Sequence, residues 1–301
     1  MLFRSQQDKL KMARKAVELA LQLNPSHGVA RDVLASILES SGDMSEAIAR
    51  LRESLDLTAL NYGADSINVS ARRYNLGRAL LLDGQLDTAR SELLAAASAL
   101  SSHVRTQIQA LSIWEQRQLI LGQTAAQTGS LLSACRAHEC LGKAYEQLVS
   151  WKGLLVSGLH REVELARLMG SQADKAAVAR WKTLRTQLAL WSSARGARPE
   201  TEWKARADEM IQEKEAIERK LLKGAAPPPD VSVDSLRHAI REDEAFVDVY
   251  KYDLIRGKHP FTARYGAVVL TRSRPPKYVD LGDASPIDMA VERWLSRLNS
   301  T

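Results

Sequence analysis

Apolar and small residues recur at a fixed interval along the first hundred positions. Five residues, Leu34, Ala35, Gly42, Ala47 and Leu51, return 42 positions later as Leu76, Gly77, Gly84, Ala89 and Leu93. A further partial copy contains Ala13, Val17 and Ala20 and ends at Pro25. Small residues at these positions allow two helices to approach closely, and the glycines can end the first helix of each pair in a left-handed conformation. The pattern predicts stacked pairs of helices.

The same positions resemble the tetratricopeptide repeat. In that repeat Leu-Gly or Leu-Ala lies in the first helix, Gly at the turn, Ala and a bulky residue in the second helix, and Pro at its end. Arg73, beside Tyr74, stands where an aromatic residue is usual, and about eight extra residues, around 58–65, stretch one period from 34 to 42. Kinesin light chains have similarly long repeats, so a free-standing adaptor of that type is an alternative.

The resemblance implies a concave groove that binds a peptide or protein segment, since such repeats bury one face and expose the other. In this register six residues are predicted to face the groove: Asp32, Ser36, Glu39, Tyr74, Asn75 and Arg78. The alternative is that they are ordinary solvated helix positions.

Residues 104–222 are predicted to be long helices. Apolar positions alternate by four and three at Ala177, Trp181, Leu184, Leu188 and Trp191, and a second series contains Trp203, Ala207, Met210, Ile217 and Leu221. The polar SSARGARPE, with Gly196 and Pro199, lies between them. Two heptad-patterned helices joined by a short turn predict an antiparallel coiled-coil hairpin, with its tryptophans in the seam.

The chain is predicted to leave the helical pattern after KGAAPPPD at 223–230, because three consecutive prolines favour an extended linker. A short helix from Ser232 to Ile240 and a strand at 245–252 follow. In that strand, Val247 and Val249 are predicted to share one face and Phe246, Tyr250 and Tyr252 the other. A hairpin of 265–271 and 277–281 is predicted next.

A last helix is predicted with Ser285 as its cap and Asp288 completing a capping box. Its apolar face contains Ile287, Val291, Trp294, Leu295 and Leu298. The predicted fold is therefore mainly α: repeats at 1–103, long helices at 104–222, a linker, and a small α/β segment at 231–301.

Composition limits the possible partners. Of the 301 residues, 45% are hydrophobic and 26% charged, and neither a long apolar run nor a signal sequence occurs, so a soluble cytoplasmic protein is expected. The net charge of +6 comes entirely from residues 101–227. Residues 1–100 have 12 basic and 12 acidic residues, and residues 228–301 have 11 of each. The middle excess is interspersed with acids, which predicts solvated helix faces and no nucleic-acid or membrane partner.

Two cysteines offer the only thiol chemistry. Ser133-Ala134-Cys135 resembles the nucleophile segment of caspase-like peptidases, but helical spacing surrounds it and no strand precedes it, which favours a chance match. Cys135, His138 and Cys140 on one helix would point to different faces and could not hold zinc. Cys135 and Cys140 are predicted to be plain thiols. No catalytic residue, metal ligand or cofactor is predicted.

The order of motifs along the chain resembles a larger family. The repeats are followed by Trp151-Lys152-Gly153, the hairpin, RYGAVVL from Arg264, VDLG from Val279, SPID from Ser285, and Trp294. This order resembles the N-terminal part of bacterial repeat proteins with a CHAT domain, a caspase-like peptidase domain. Their catalytic histidine and cysteine lie in Ala-Thr-His-Gly-like and Ser-Ala-Cys-Glu-Thr-Gly-like segments, and neither is present here.

The resemblance therefore implies the protein-interaction part of a CHAT-domain protein, inactive alone because a cysteine peptidase needs an imidazole beside its thiol. Its expected partners are a segment bound by the repeats and the missing catalytic part of the domain. The chain itself is expected to be a fragment, a split reading frame or a decayed copy.

Overall fold

The computed structural model describes residues 2–25, 27–64, 66–107, 113–169, 175–193, 200–221, 231–257 and 261–298. The helices are α1 (Leu2–Leu23), α2 (Gly28–Ser41), α3 (Met44–Tyr62), α4 (Ile67–Leu82), α5 (Leu86–Gln107), α6 (Ile113–Cys135), α7 (Leu141–Met169), α8 (Lys175–Ser193), α9 (Glu200–Leu221), α10 (Val233–Ala239) and α11 (Ala284–Leu298). The strands are β1 (Phe246–Leu254), β2 (Thr262–Leu270) and β3 (Lys277–Asp283). The prediction of a mainly helical chain with a small α/β segment is confirmed.

The chain forms two compact units. The first contains Met1–Leu100, Ala125–Gln147 and Arg237–Thr301, and the second contains Ser101–Thr124 and Leu148–Leu236. The repeats and the C-terminal α/β segment therefore belong to the same unit, although residues 101–236 lie between them in the sequence.

Helices α2 to α5 in the first unit form the two repeated pairs. The small residues Ala35, Ala47 and Ala89 are buried at the helix crossings, with Leu51 and Leu93 at the equivalent positions of α3 and α5. Val17 and Leu21 of α1 pack against the core formed by Leu34, Leu38 and Ala47, as the partial copy predicted. The close approach is tightest at Gly77, where a Cβ would lie 2.8 Å from Cγ of Leu93.

Each first helix ends in the same turn. Gly42 and Gly84 have φ of 89° and 82°, in the left-handed region that favours glycine. The amide of the following residue donates back to a carbonyl five positions earlier, Asp43 to Leu38 and Gln85 to Leu80, at 2.9 Å in both turns. The two repeats therefore share a helix-terminating hydrogen-bond pattern, as predicted from the glycines.

The end of α6 and the start of α7 form a third helical pair in this unit. The Tyr74 hydroxyl lies 3.4 Å from Oγ of Ser130, and Nε of Arg90 donates to the Ala134 carbonyl at 3.0 Å. The cysteines predicted to be plain thiols are instead joined in a disulfide between Cys135 and Cys140. The reason is local: α6 ends at Cys135 and α7 begins at Leu141, so the turn brings the two Cα atoms to 5.3 Å.

The antiparallel sheet, in the order β1-β2-β3, packs on this third pair. The backbone amide of Ile255 donates to Oγ of Ser133 at 2.9 Å, and a Cβ at Gly129 would lie 3.2 Å from the Asp253 carbonyl oxygen. On β1 the buried side chains are Asp248, Tyr250 and Tyr252. Val247 and Val249 occupy the other face and are exposed, and Phe246 is exposed as well.

The last helix begins at Ala284, two residues before the first residue that follows the predicted Ser285 cap, and Asp288 has a different role from the predicted one. Asp288 accepts hydrogen bonds from Nζ of Lys251 and the hydroxyl of Tyr265, both at 2.9 Å, and so ties α11 to β1 and β2. The two donors lower the pKa of the Asp288 carboxyl. Asp288 is therefore bound by two side chains of the sheet, where the prediction expected the backbone amide of a capping box.

The second unit contains the predicted helical hairpin. Leu188 packs with Met210 and Trp181 with Leu221, so α8 and α9 run antiparallel. Nε and Nη2 of Arg180 donate to the two carboxylate oxygens of Glu213, each at 2.7 Å. The turn at 194–199, the linker at 223–230 and the side chains of Trp191 and Trp203 lie outside the described residues.

The Trp-Lys-Gly motif has a packing role in the second unit. Nε1 of the buried Trp151 donates to Oγ of Ser101 at 2.8 Å. A Cβ at Gly153 would lie 2.8 Å from that of Val231. Ser232 and Ser235 then cap α10 reciprocally, each hydroxyl accepting the other's backbone amide, which confirms the predicted cap.

We expect Gly77→Ala to lower the free energy of unfolding of the repeats by about 1–3 kcal/mol, because the added methyl would overlap the buried Leu93. Chemical denaturation followed by circular dichroism measures the change. Gly122→Ala in α6 is the matched control: no described atom lies within 4 Å of its Cβ position, so the substitution should be neutral or stabilise by up to about 1 kcal/mol. Equal effects of the two substitutions would contradict the close packing at Gly77.

Candidate partner-binding surface

The six residues predicted to face the groove lie on two helices of the first unit. Asp32, Ser36 and Glu39 are on α2, and Tyr74, Asn75 and Arg78 are on α4. Residues three and four positions apart share a helix face, so each helix presents its members together. We call these six residues the groove set.

Asp32 is the centre of one polar network in the groove set. Its carboxylate lies 2.5 Å from Nη1 of Arg72 and 3.4 Å from both Nδ2 of Asn75 and Oγ of Ser54. Burial raises the pKa of the Asp32 carboxyl, and the Arg72 guanidinium and the two hydrogen bonds offset only part of this effect. Asp32 thus joins α2 to both α3 and α4.

A second polar link lies further along the same two helices. Oε2 of Glu39 and Nη2 of Arg78 are 2.6 Å apart, and both side chains are more than three-quarters buried. Tyr74 reaches in the other direction, with its hydroxyl beside Ser130 of α6. The structure therefore brings five of the six residues into bonds that join α2, α4 and α6.

Ser36 differs from the other five because its side chain is exposed. It lies on α2 between Asp32 and Glu39, so a bound segment could contact it without breaking either polar link. The Asp32 network and the Glu39–Arg78 pair on either side of Ser36 are already held in place. These side chains therefore lose little conformational entropy when a segment binds. The binding role of the groove set is still a prediction.

Sequence reasoning missed two members of this surface. Arg72 precedes Asn75 by three positions on α4 and could have been found from that spacing. Ser130 could not, because the helix that carries it lacks the positions that identify the repeats. The contact with Tyr74 depends on how α6 packs, which no local pattern encodes.

A buried titratable cluster around Asp248 in the first unit is structural. Asp248 is buried, and its carboxylate accepts a hydrogen bond from Tyr250 at 2.5 Å. Burial raises the pKa of Tyr250 and of Tyr145 far above the usual range, and the Asp248 carboxylate raises both further. The cluster anchors β1, while the sulfur of Cys135 is held in the disulfide and offers no thiolate.

Comparisons with known proteins identify only the repeats. Residues 27–101 match the tetratricopeptide repeat family, which confirms that part of the predicted resemblance. A search of the curated proteins found no match, and a search of the solved structures found none. None of the described helices is both long enough and apolar enough to cross a membrane.

We expect Arg78→Met to lower the free energy of unfolding by about 1–3 kcal/mol, because it leaves the Glu39 carboxylate without its partner at a largely buried position. Arg50→Met is the matched control, since Arg50 and its partners Glu46 and Glu53 are all about 40% exposed, and such pairs contribute at most about 1 kcal/mol. Denaturant unfolding of the two variants measures the difference. If Arg78→Met costs no more than Arg50→Met, Glu39 and Arg78 do not fasten α2 to α4.

Proposed function

We propose that this chain is the protein-interaction part of a CHAT-type caspase-like protein. The premise is the match of residues 27–101 to the tetratricopeptide repeat. Its groove set would bind an extended segment of a partner. Residues 231–301 would be the N-terminal portion of the CHAT-like domain, without the catalytic histidine and cysteine and therefore inactive alone.

The observation that carries the binding proposal is the polar surface shared by α2 and α4. Asp32 with Asn75, and Glu39 with Arg78, place acceptors and donors at fixed positions along adjacent helices. Helical repeats commonly use such a surface for protein recognition, because each repeat adds one helix to it. An extended segment could therefore meet the side chains of both repeats in sequence.

The observation that supports the CHAT-like part is a set of exposed apolar side chains on β1 and on α11. Val247 and Val249 of β1 are 55% and 51% exposed, and Trp294 of α11 is 60% exposed. Val291 and Leu295 are also exposed. Clustered exposed apolar side chains mark interaction sites. We propose that the remaining part of a CHAT-like domain covers these side chains.

Peptide selection against the full chain, followed by calorimetric titration of the selected peptides, tests the binding proposal. We expect Ser36→Arg to weaken their binding at least tenfold, because a long charged side chain would occupy the exposed gap between the two polar links. Ser45→Arg, the same substitution at an exposed position of α3, is the matched control and should leave binding unchanged. Unaltered binding to Ser36→Arg would contradict the proposed site.

The absence of peptidase activity is tested separately. If the purified chain cleaves peptides from a fluorogenic library, and Cys135→Ala abolishes that cleavage, the proposal of an inactive chain is wrong. The disulfide with Cys140 makes Cys135 unsuited to the role of a nucleophile, because the thiolate is the reactive form.

A second candidate function is a free-standing tetratricopeptide adaptor, of the kind found in kinesin light chains, in which the C-terminal segment only caps the repeats. The packing of β1 on the third helical pair favours it: Ile255 bonds to Ser133, and Tyr145, Asp248 and Tyr250 are buried within one unit. A terminal cap of this kind shields the apolar face of the last repeat from water.

Deletion of residues 231–301 tests the capping role. We expect the thermal unfolding midpoint of the repeats to fall by about 5–10 °C, because Tyr145 and the third helical pair lose their cover. Trp294→Ala is the control, because this largely exposed side chain contributes little to the packing of β1. The unfolding midpoint of this variant should equal that of the unmodified chain. A midpoint unchanged by the deletion would identify a separate linked domain and rule out the adaptor with a cap.

A further inference from the structure

A polar pocket lies in the first unit where the end of α3 meets the first turns of α2 and α4. Its volume is ≈ 530 Å³, within the range of ligand-binding cavities. The polar residues that line it are Asn24, His27, Arg31, Ser54, Thr58, Asn61, Tyr62, Asn68 and Arg72. We call it the insertion pocket, because the extra residues of the 42-residue period form one of its walls.

The extra residues of the 42-residue period build one wall of the insertion pocket. They begin near Thr58, and in the structure they prolong α3 to Tyr62. Thr58, Asn61 and Tyr62 all line the pocket. A period of 34 residues would lack this wall, so the departure from the usual repeat length creates the cavity.

The side chains around the insertion pocket are rich in hydrogen-bond donors. Three asparagine amides, the Tyr62 hydroxyl and the Arg72 guanidinium line it, whereas the Arg31 guanidinium already binds the Pro25 carbonyl and Glu53. No carboxylate occurs among the lining residues that the structure describes. His27 accepts the Ala30 amide at Nδ1, so in its neutral form the proton is on Nε2, which makes this atom a further donor. Such a site suits a ligand group that only accepts hydrogen bonds.

Arg72 has donor capacity left at the pocket. Nη1 binds Asp32, whereas Nε is buried and has no hydrogen-bond partner among the described residues. Gly28 leaves room for this guanidinium, since a Cβ there would lie 3.0 Å from Nη2. A buried donor without a partner destabilises the folded chain, and a bound acceptor could recover that loss.

The charge balance decides which acceptor fits. Arg31 is paired with Glu53 at 2.8 Å and Arg72 with Asp32, so neither cation is left uncompensated. Neither anion would find a spare positive charge, but a carboxylate brings one negative charge where a phosphate brings about two, and it can accept about four hydrogen bonds from neutral donors. The pocket therefore favours a carboxylate over a phosphate.

We propose that the insertion pocket binds the carboxylate of an aspartate or glutamate side chain in the segment that the repeats recognise. This inference rests on the proposed peptide-binding function and adds an acidic residue to the requirements on the partner. The Asp32 network links the pocket to the groove set, because Arg72 and Ser54 line the pocket and both bind Asp32. One peptide could therefore occupy both.

The test uses the full chain and two capped tripeptides, acetyl-Gly-Glu-Gly-amide and acetyl-Gly-Gln-Gly-amide, with NMR shifts as the readout. We expect the glutamate peptide to bind in the millimolar range, at least tenfold more tightly than the glutamine peptide and more tightly than inorganic phosphate. Asn61→Asp should weaken binding of the glutamate peptide at least tenfold, because the new carboxylate in the pocket wall would repel the carboxylate of the peptide. Asn61 is exposed, so the substitution should not disturb packing. Gln85→Glu, the same charge change at an exposed site outside the pocket, is the control and should have no effect.

Equal binding of the two tripeptides, tighter binding of phosphate, or full binding to Asn61→Asp would overturn the proposal. The tripeptide result does not depend on the groove. If selected peptides fail to bind the groove set while the glutamate tripeptide still binds, the peptide-binding function fails and the pocket stands. If selected peptides bind but lose nothing in Asn61→Asp, only the pocket assignment fails.

Discussion

The close approach of helices at small residues is the constraint on which the first unit depends. Ala35, Ala47 and Ala89 are fully or nearly fully buried, and at Gly77 even one methyl group would displace Leu93. Because the helices approach this closely, α2 and α4 lie near enough for Asp32 to reach Asn75 and for Glu39 to reach Arg78. The polar surface is therefore a product of the apolar packing beneath it, and larger residues at these crossings would separate the pairs.

The last helical pair of the stack has no further pair beside it, so its outer face must be covered in another way. The third helical pair presents Ser133 and Tyr145 toward the sheet. The backbone amide of Ile255, just after β1, donates to Ser133, and Tyr250 and Asp248 of β1 lie around Tyr145. Burying a carboxylate is costly unless hydrogen bonds compensate. Placing Asp248 there fixes the position of β1 more strictly than apolar contacts alone could, since sliding the strand by one residue would turn the carboxylate to the other face.

Local rules predicted the parts of the fold that local interactions determine. The glycines at 42 and 84 and the small residues at the crossings identified the repeats, and Ser232 identified the start of α10. Local rules could not predict which face of β1 is buried, because that depends on how α6 and α7 pack against the strand. They cover the face with Asp248 and leave the face with Val247 and Val249 exposed. Asp288 was assigned to a helix cap because its partners Lys251 and Tyr265 are distant in sequence. The six residues of the groove set lie on α2 and α4, and their role in binding stays a prediction. The only trace of the pocket in the sequence is the irregular repeat length.

The residues that lengthen α3 differ from the rest of the repeat in what constrains them. Asn61 and Tyr62 are exposed, while the residues that hold the helices together, such as Ala47 and Leu51, lie earlier in the same helix. Substitutions at 61 and 62 can therefore accumulate without a loss of stability that selection would remove. Related chains could diverge in ligand preference at this one helix end while their scaffold stays constant, so the irregular repeat length would be a place where new specificities evolve.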